Sequence, residues 1–147
     1  MMPDSLCLYV ENPVGGILAH PEGWTVVEHS PGARKLSGLQ AFLNHTGQLL
    51  QSRGWNRIPG DRRRMATFTE EEKVRIVDYW LSQRQRRPEK LYGAVILPHD
   101  AYASLSVSQV MREASVAALT FRLYDEVEEG TGWLRQPGSR ARAGDTG

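Results

Sequence analysis

Apolar positions along the chain change period several times, and each change marks a predicted element. Residues 6–10 form a short apolar run stopped by Glu11-Asn12-Pro13 and the Gly15-Gly16 pair, the pattern of a strand closed by turn residues. Ile17 to Ala19 either extends that strand or opens a second short one. Residues 24–28, WTVVE, are aromatic and β-branched between Gly23 and Ser30-Pro31-Gly32, which predicts a better strand. Two neighbouring strands with a Gly/Pro-rich link suggest an antiparallel pair opening the fold. From Ser37 the period lengthens: Leu39, Phe42, Leu43, Leu49 and Leu50 share one helical face, with Ser37 as N-cap and Gly54 at C′. Gly47 inside this helix costs up to about 1 kcal/mol relative to alanine. His45 lies off the apolar face and is expected at the surface.

Residues 55–59 are a weak strand where the helix must return to a sheet. Thr69-Glu70-Glu71-Glu72 then fits a capping box: the threonine hydroxyl accepts an orphan N–H, Glu72 reaches back, and three acidic residues suit the helix dipole. A helix over residues 70–84 follows, with Val74, Val77 and Leu81 as its expected inward stripe, widened by Ile76 and Trp80. Residues 82–90 read as a polar, basic loop in which Pro88 forbids a helix. Residues 92–97, YGAVIL, are a continuous apolar run, the mark of a strand buried on both faces. Pro98-His99-Asp100 ends it and caps the next segment. Val107, Val110, Met111, Ala114 and Ala118 keep helical spacing, so a third helix is expected near Ser106, with Ser106 or Ser108 as cap. Leu119, Phe121 and Leu123 alternate with polar residues as in a strand near a sheet edge. Residues 125–136 predict a last short helix with Val127, Trp133 and Leu134 inward, weakened by Gly130 and Gly132.

The order is β-β-α-β-α-β-α-β-(α). It predicts an α/β fold with a small mixed, mainly parallel sheet of four to five strands and helices packed on it. Residues 1–135 make a single domain; residues 136–147, rich in Gly, Arg and Ala, have nothing to bury and are expected to be disordered.

Composition changes this picture little. At 40% hydrophobic and 24% charged the chain is globular, and 18 basic against 17 acidic residues predict no polyanion partner. The single cysteine, Cys7, excludes an internal disulfide and sits in an apolar LCLYV run, so a buried, inert thiol is expected. The absence of a signal-like start and of a long apolar run predicts a cytoplasmic protein without a membrane span.

Three stretches carry a family resemblance: LQAFLNHTGQLLQSRGWNRIPGDRRRM, the FTEEEKVRIVDYWL helix, and the closing TFRLYDEVEEGTGWL. Together with the element order they resemble the STAS-like, SpoIIAA-like superfamily of small bacterial α/β domains, over about residues 5–135. The resemblance implies a non-enzymatic regulatory domain that binds a protein partner or itself; some relatives resemble lipid carriers with a pocket between sheet and helices. It also implies a phosphorylated serine directly after an aspartate at a strand end. Here Arg62 follows Asp61, and Thr67 and Thr69 are the nearby hydroxyls, so the phospho-switch does not transfer directly.

The expected interaction surface is the loop of Asp61, Arg62, Arg63, Arg64, Thr67, Phe68 and Thr69, together with the second helix. Thr67 and Thr69 are candidate phosphorylation sites, since a phosphate suits a helix N-terminus beside arginines; Glu70 to Glu72 oppose it, and Thr69 serves as cap. The arginines at 62–64, 84, 86 and 87 are offset by glutamates and lack interleaved aromatics, so nucleic acid is not expected. Four histidines, at 20, 29, 45 and 99, show no metal spacing, and no cofactor is expected. Two further readings stand beside the regulatory one. One is a pocket for a small apolar molecule or lipid, with Trp24, Trp55, Trp80 and Trp133 as candidate walls. The other is a small enzyme using His99 with Asp100 as its orienter, near Asp61.

Overall fold

A computed structural model describes residues 6–86, 91–114 and 119–136. The fold is α/β, with a mixed sheet of six strands in the order β1-β2-β3-β4-β5-β6. Strands β1 (Cys7–Asn12), β2 (Gly15–His20) and β3 (Trp24–His29) form an antiparallel meander. Thus three strands, not a pair, open the fold, and the sheet exceeds the expected four to five. The Gly15-Gly16 pair, read as a strand stop, lies inside β2. A Cβ on Gly15 would strike the carbonyl oxygen of Glu28 on β3, so glycine is needed for the close strand approach. Gly23 supplies the positive φ of 90° that turns β2 into β3.

Three parallel additions follow: α1 (Leu36–Arg53) leads to β4 (Arg57–Asp61), α2 (Glu70–Arg86) to β5 (Leu91–Ile96), and α3 (Ala101–Ala114) to β6 (Leu119–Tyr124). Each crossover moves one strand in the same direction, so crossovers of one hand stack their helices on one face. Leu39, Phe42, Leu49 and Leu50 of α1, Ile76 and Trp80 of α2, and Val107, Val110 and Met111 of α3 share a core there with Ile17, Val27, Ile58, Leu91 and Val95. The last helix, α4 (Val127–Arg135), lies on the opposite face, where Trp133 and Leu134 cluster with Trp24, Tyr92 and Ala94. β5 is buried at every position because helices cover both of its faces.

Several local expectations change. α1 ends at Gly54 in the left-handed conformation, but Lys35 rather than Ser37 stands at its N-cap, without a side-chain bond. α3 begins five residues before Ser106 because Asp100 caps it: Asp100 Oδ2 accepts from Ala103 N at 2.9 Å. Ser106 is buried mid-helix, donating to Ala103 O and accepting from Phe68 N. α2 runs on to Arg86, into the expected 82–90 loop; residues 87–90, Ala118 and the tail from 137 lie outside the described residues. Its inward stripe is also rotated. Val74 and Leu81 are 59% and 41% exposed, whereas Glu72, Ile76, Tyr79, Trp80 and Gln83 are buried. Cys7 is exposed, because β1 is the edge strand of the sheet. His45 is half-buried, with Nδ1 3.2 Å from Gln48 Oε1.

Candidate functional site

Strand alternation sorts the functional candidates onto two faces of the sheet. On β3, Trp24, Val26 and Glu28 face the α4 side, while Thr25, Val27 and His29 face the three-helix layer. On β4, Pro59 and Asp61 share the α4 side; Ile58, and Arg62 just after the strand, take the other. Glu28 and Asp61 are register partners on neighbouring parallel strands, so two carboxylates stand side by side.

The α4 face holds a cleft of about 320 Å³. It exists because α4 packs on β4, β5 and β6 and leaves the meander half of that face without a helix. The C-terminal end of α4 is well anchored. Arg57 Nε donates to Leu134 O at 2.7 Å, and Arg135 pairs with Glu22 at 2.9 Å while lying 5.5 Å from the Trp24 ring. Gly130 lets the helix descend: a Cβ there would lie 2.9 Å from Ile96 Cδ1 and 3.3 Å from Ala94 Cβ. The N-terminal half of α4, with Val127 and Thr131, then forms one wall. Leu6, Trp24, Val26, Pro59, Ala94 and Ile96 supply the floor and far side, and Leu8 continues the apolar surface at 59% exposure.

Most of the cleft's polar groups are engaged. His20 stacks on Trp24 at 4.6 Å, and its Nδ1 accepts from Glu22 N at 3.0 Å, which leaves the ring proton on Nε2 in the neutral form. Asp61 accepts from Arg63 Nε at 3.0 Å and Nη2 at 2.8 Å, and from Arg63 N at 3.1 Å. Burial alone would raise the Asp61 carboxyl, but these bonds outweigh it and hold the group below its ordinary value. A second groove, of about 330 Å³ between α1 and α2, is walled mainly by polar side chains: Asn44, Gln48, Gln51 and Gln83, with Tyr79.

The loop after β4 does not stay together as one surface. Arg64, Thr67 and Thr69 are exposed, Asp61, Arg62 and Arg63 are half-buried, and Phe68 is in the core. The capping box is present as read: Glu72 N donates to Thr69 Oγ1 at 3.1 Å, and Thr69 N donates to Glu72 Oε1 at 2.8 Å. Thr69 is therefore occupied by capping, whereas Thr67 keeps its hydroxyl exposed and gives its carbonyl to Arg34 Nη2 at 3.0 Å. Arg34 had no place in the sequence reading, yet it pairs with Glu72 through two bonds of 2.9 Å. Nothing in the local pattern around Arg34 marks it, because its partner lies 38 residues away.

His99 and Asp61 do share one end of the sheet, and His99 N donates to Arg63 O at 3.1 Å. The cleft includes Asp61 but not His99, and Asp100 is bonded to the α3 backbone. Of the four tryptophans, Trp24 lines the cleft, Trp80 and Trp133 are core, and Trp55 is half-buried at the core margin. Among the described residues no group of three or more His, Cys, Asp or Glu side chains is placed to hold a metal ion. No described helix is long and apolar enough to cross a membrane. No family model, curated protein or solved structure matches the chain.

Proposed function

We propose that this protein is a non-enzymatic binding domain whose ligand is a small apolar molecule taken into the cleft between the sheet and α4. The carrying observation is the cleft itself: about 320 Å³, with mostly apolar walls. That volume falls at the lower end of small-molecule sites, roughly 300–1,000 Å³. The engagement of Asp61 by Arg63, of His20 by the Glu22 amide and of Asp100 by the Ala103 amide supports a binding role over a chemical one. The test is titration with a neutral fluorescent naphthylamine probe. Wild type gives a saturable rise, and Val26→Trp, which fills the cleft from a half-buried position, abolishes it without lowering Tm. Equal binding by the variant, or no saturable binding by wild type, ends this reading.

A protein-partner reading of α2 draws on a separate observation. Val74 and Leu81, two turns apart, expose apolar side chains on the outer surface of that helix. A Val74→Lys, Leu81→Lys double variant that leaves the mass in native spectrometry unchanged, where wild type is associated, counts against self-association through it.

A further inference from the structure

Behind the cleft, across the sheet, the three-helix layer leaves a partly open void of about 30 Å³ among β3, β4, α1, α2 and α3. Its walls are mostly apolar, with Phe42, Phe68, Trp80 and Met111 among them, but His29 and Arg62 also line it. His29 is 8% exposed, and its Nδ1 is buried without a hydrogen-bond partner; Arg62 Nε is buried in the same condition. The Arg62 guanidinium lies over Gly60, where a Cβ would collide with it, so the bare glycine makes room for the group.

A guanidinium in such a place ordinarily faces a carboxylate. Here the neighbouring carboxylates are taken. Asp61 projects to the other face and binds Arg63 with both oxygens. Glu72 binds Arg34 with both oxygens and the Thr69 amide with one. Among the described residues no carboxylate accepts from Arg62. Burial pulls its pKa down to about 10, which still leaves it protonated at neutral pH. Burial, then Arg62 and Arg34, push His29 well below its ordinary value, so the ring is neutral and has one N–H to donate.

We propose that this void is a binding site for a single monatomic anion of the halide class, held by Arg62 and by His29 Nδ1–H. The size selects the class: the void has room for one water-sized or monatomic species and excludes tetrahedral oxyanions. The charge selects an anion over water: Arg62 is half-buried, but its Nε is buried without a partner, and a cation so placed without a counter-ion is unfavourable. An anion acceptor also fixes the His29 proton on Nδ1, the tautomer that satisfies the orphaned nitrogen.

The experiment is thermal unfolding of the full chain at constant ionic strength, exchanging gluconate, too large for the void, for chloride. Wild-type Tm is expected to rise saturably, by about 4 °C at a tenfold excess of anion over its Kd. Arg62→Met, which replaces the half-buried cation with an apolar chain, is expected to show no rise and to match or exceed wild type in gluconate. A wild-type Tm indifferent to chloride, or an equal rise in Arg62→Met, overturns the proposal. Should Arg62→Met not fold, wild-type crystals grown in bromide decide it: an anomalous peak beside Arg62 supports the site, and a water there without bromide overturns it.

Discussion

Replacing Glu72 by glutamine should destabilise the fold far more than its place in the first turn of a helix implies. Glu72 and Arg34 have side chains 6% and 3% exposed, and two bonds of 2.9 Å join them. Glutamine keeps the shape and a carbonyl for the Thr69 amide, but its NH2 group turns a donor toward Arg34, so one arginine bond is lost and a buried cation is left without a counter-charge. Breaking a buried pair from one side costs about 3–5 kcal/mol, and the retained carbonyl places this change near 3 kcal/mol. With a urea m-value of about 2 kcal/mol/M, the midpoint should fall by about 1.5 M. Thr69→Ala, which removes a cap bond and leaves the ion pair, should cost about 1 kcal/mol and so separates the two contributions. The pH dependence has a definite sign. Burial by itself raises the Glu72 carboxyl, but the Arg34 bonds and the Thr69 amide together hold it below 4.5. Its stabilisation is therefore fully present above pH 4.5 and lost as pH falls through the lower folded-state value. The gap between wild type and Glu72→Gln should be flat near neutrality and close on acidification. A gap under about 0.5 kcal/mol at neutral pH, the range of an ordinary surface change, refutes the buried-pair argument.

Two glycines give further tests. Helix propensity predicts that Gly47→Ala stabilises by about 1 kcal/mol, but its Cβ would land on the Tyr79 hydroxyl, with Tyr79 Cζ at 3.2 Å. Net destabilisation of about 1 kcal/mol is expected, turning to stabilisation in a Tyr79→Phe background, as read by a double-mutant cycle in urea. Gly130→Ala should lift α4 from Ile96 and Ala94, lower stability by about 1–2 kcal/mol, and weaken naphthylamine binding in the cleft.

Where sequence pattern and structure agree, the signal is local. The Thr69 to Glu72 capping box, the apolar run of β5 and the left-handed stop at Gly54 each depend on residues within one or two turns. The errors come from distant partners. Apolarity put Val74 and Leu81 inward on α2, whereas the buried face includes Glu72, Tyr79 and Gln83. Glu72 can be buried because Arg34 compensates it, and Tyr79 because Gly47 leaves space on α1; neither fact is visible within α2 itself. LCLYV reads as a core strand, yet sheet order makes it an edge, which apolarity does not report. The cleft was illegible for the same reason: four strands and α4 each supply one to three of its wall residues.

Sheet geometry ties the two proposed sites together. Glu28 and His29 are consecutive on β3, Asp61 ends β4 with Arg62 directly after it, and Glu28 and Asp61 are in register. The period of two therefore sends both carboxylates to the cleft and sends the histidine and the arginine to the void. This sorting denies Arg62 the carboxylate next to it in sequence and leaves Arg63, one residue further on, to bind Asp61. A one-residue slip of β4 would invert it, placing Asp61 among Phe42, Phe68 and Trp80 and Arg62 at the open cleft. Pairing of Pro59, Gly60 and Asp61 with Ala94, Val95 and Ile96 of the fully buried β5 fixes the register against that slip. The charge that distinguishes the void from an ordinary packing defect is thus set by strand register.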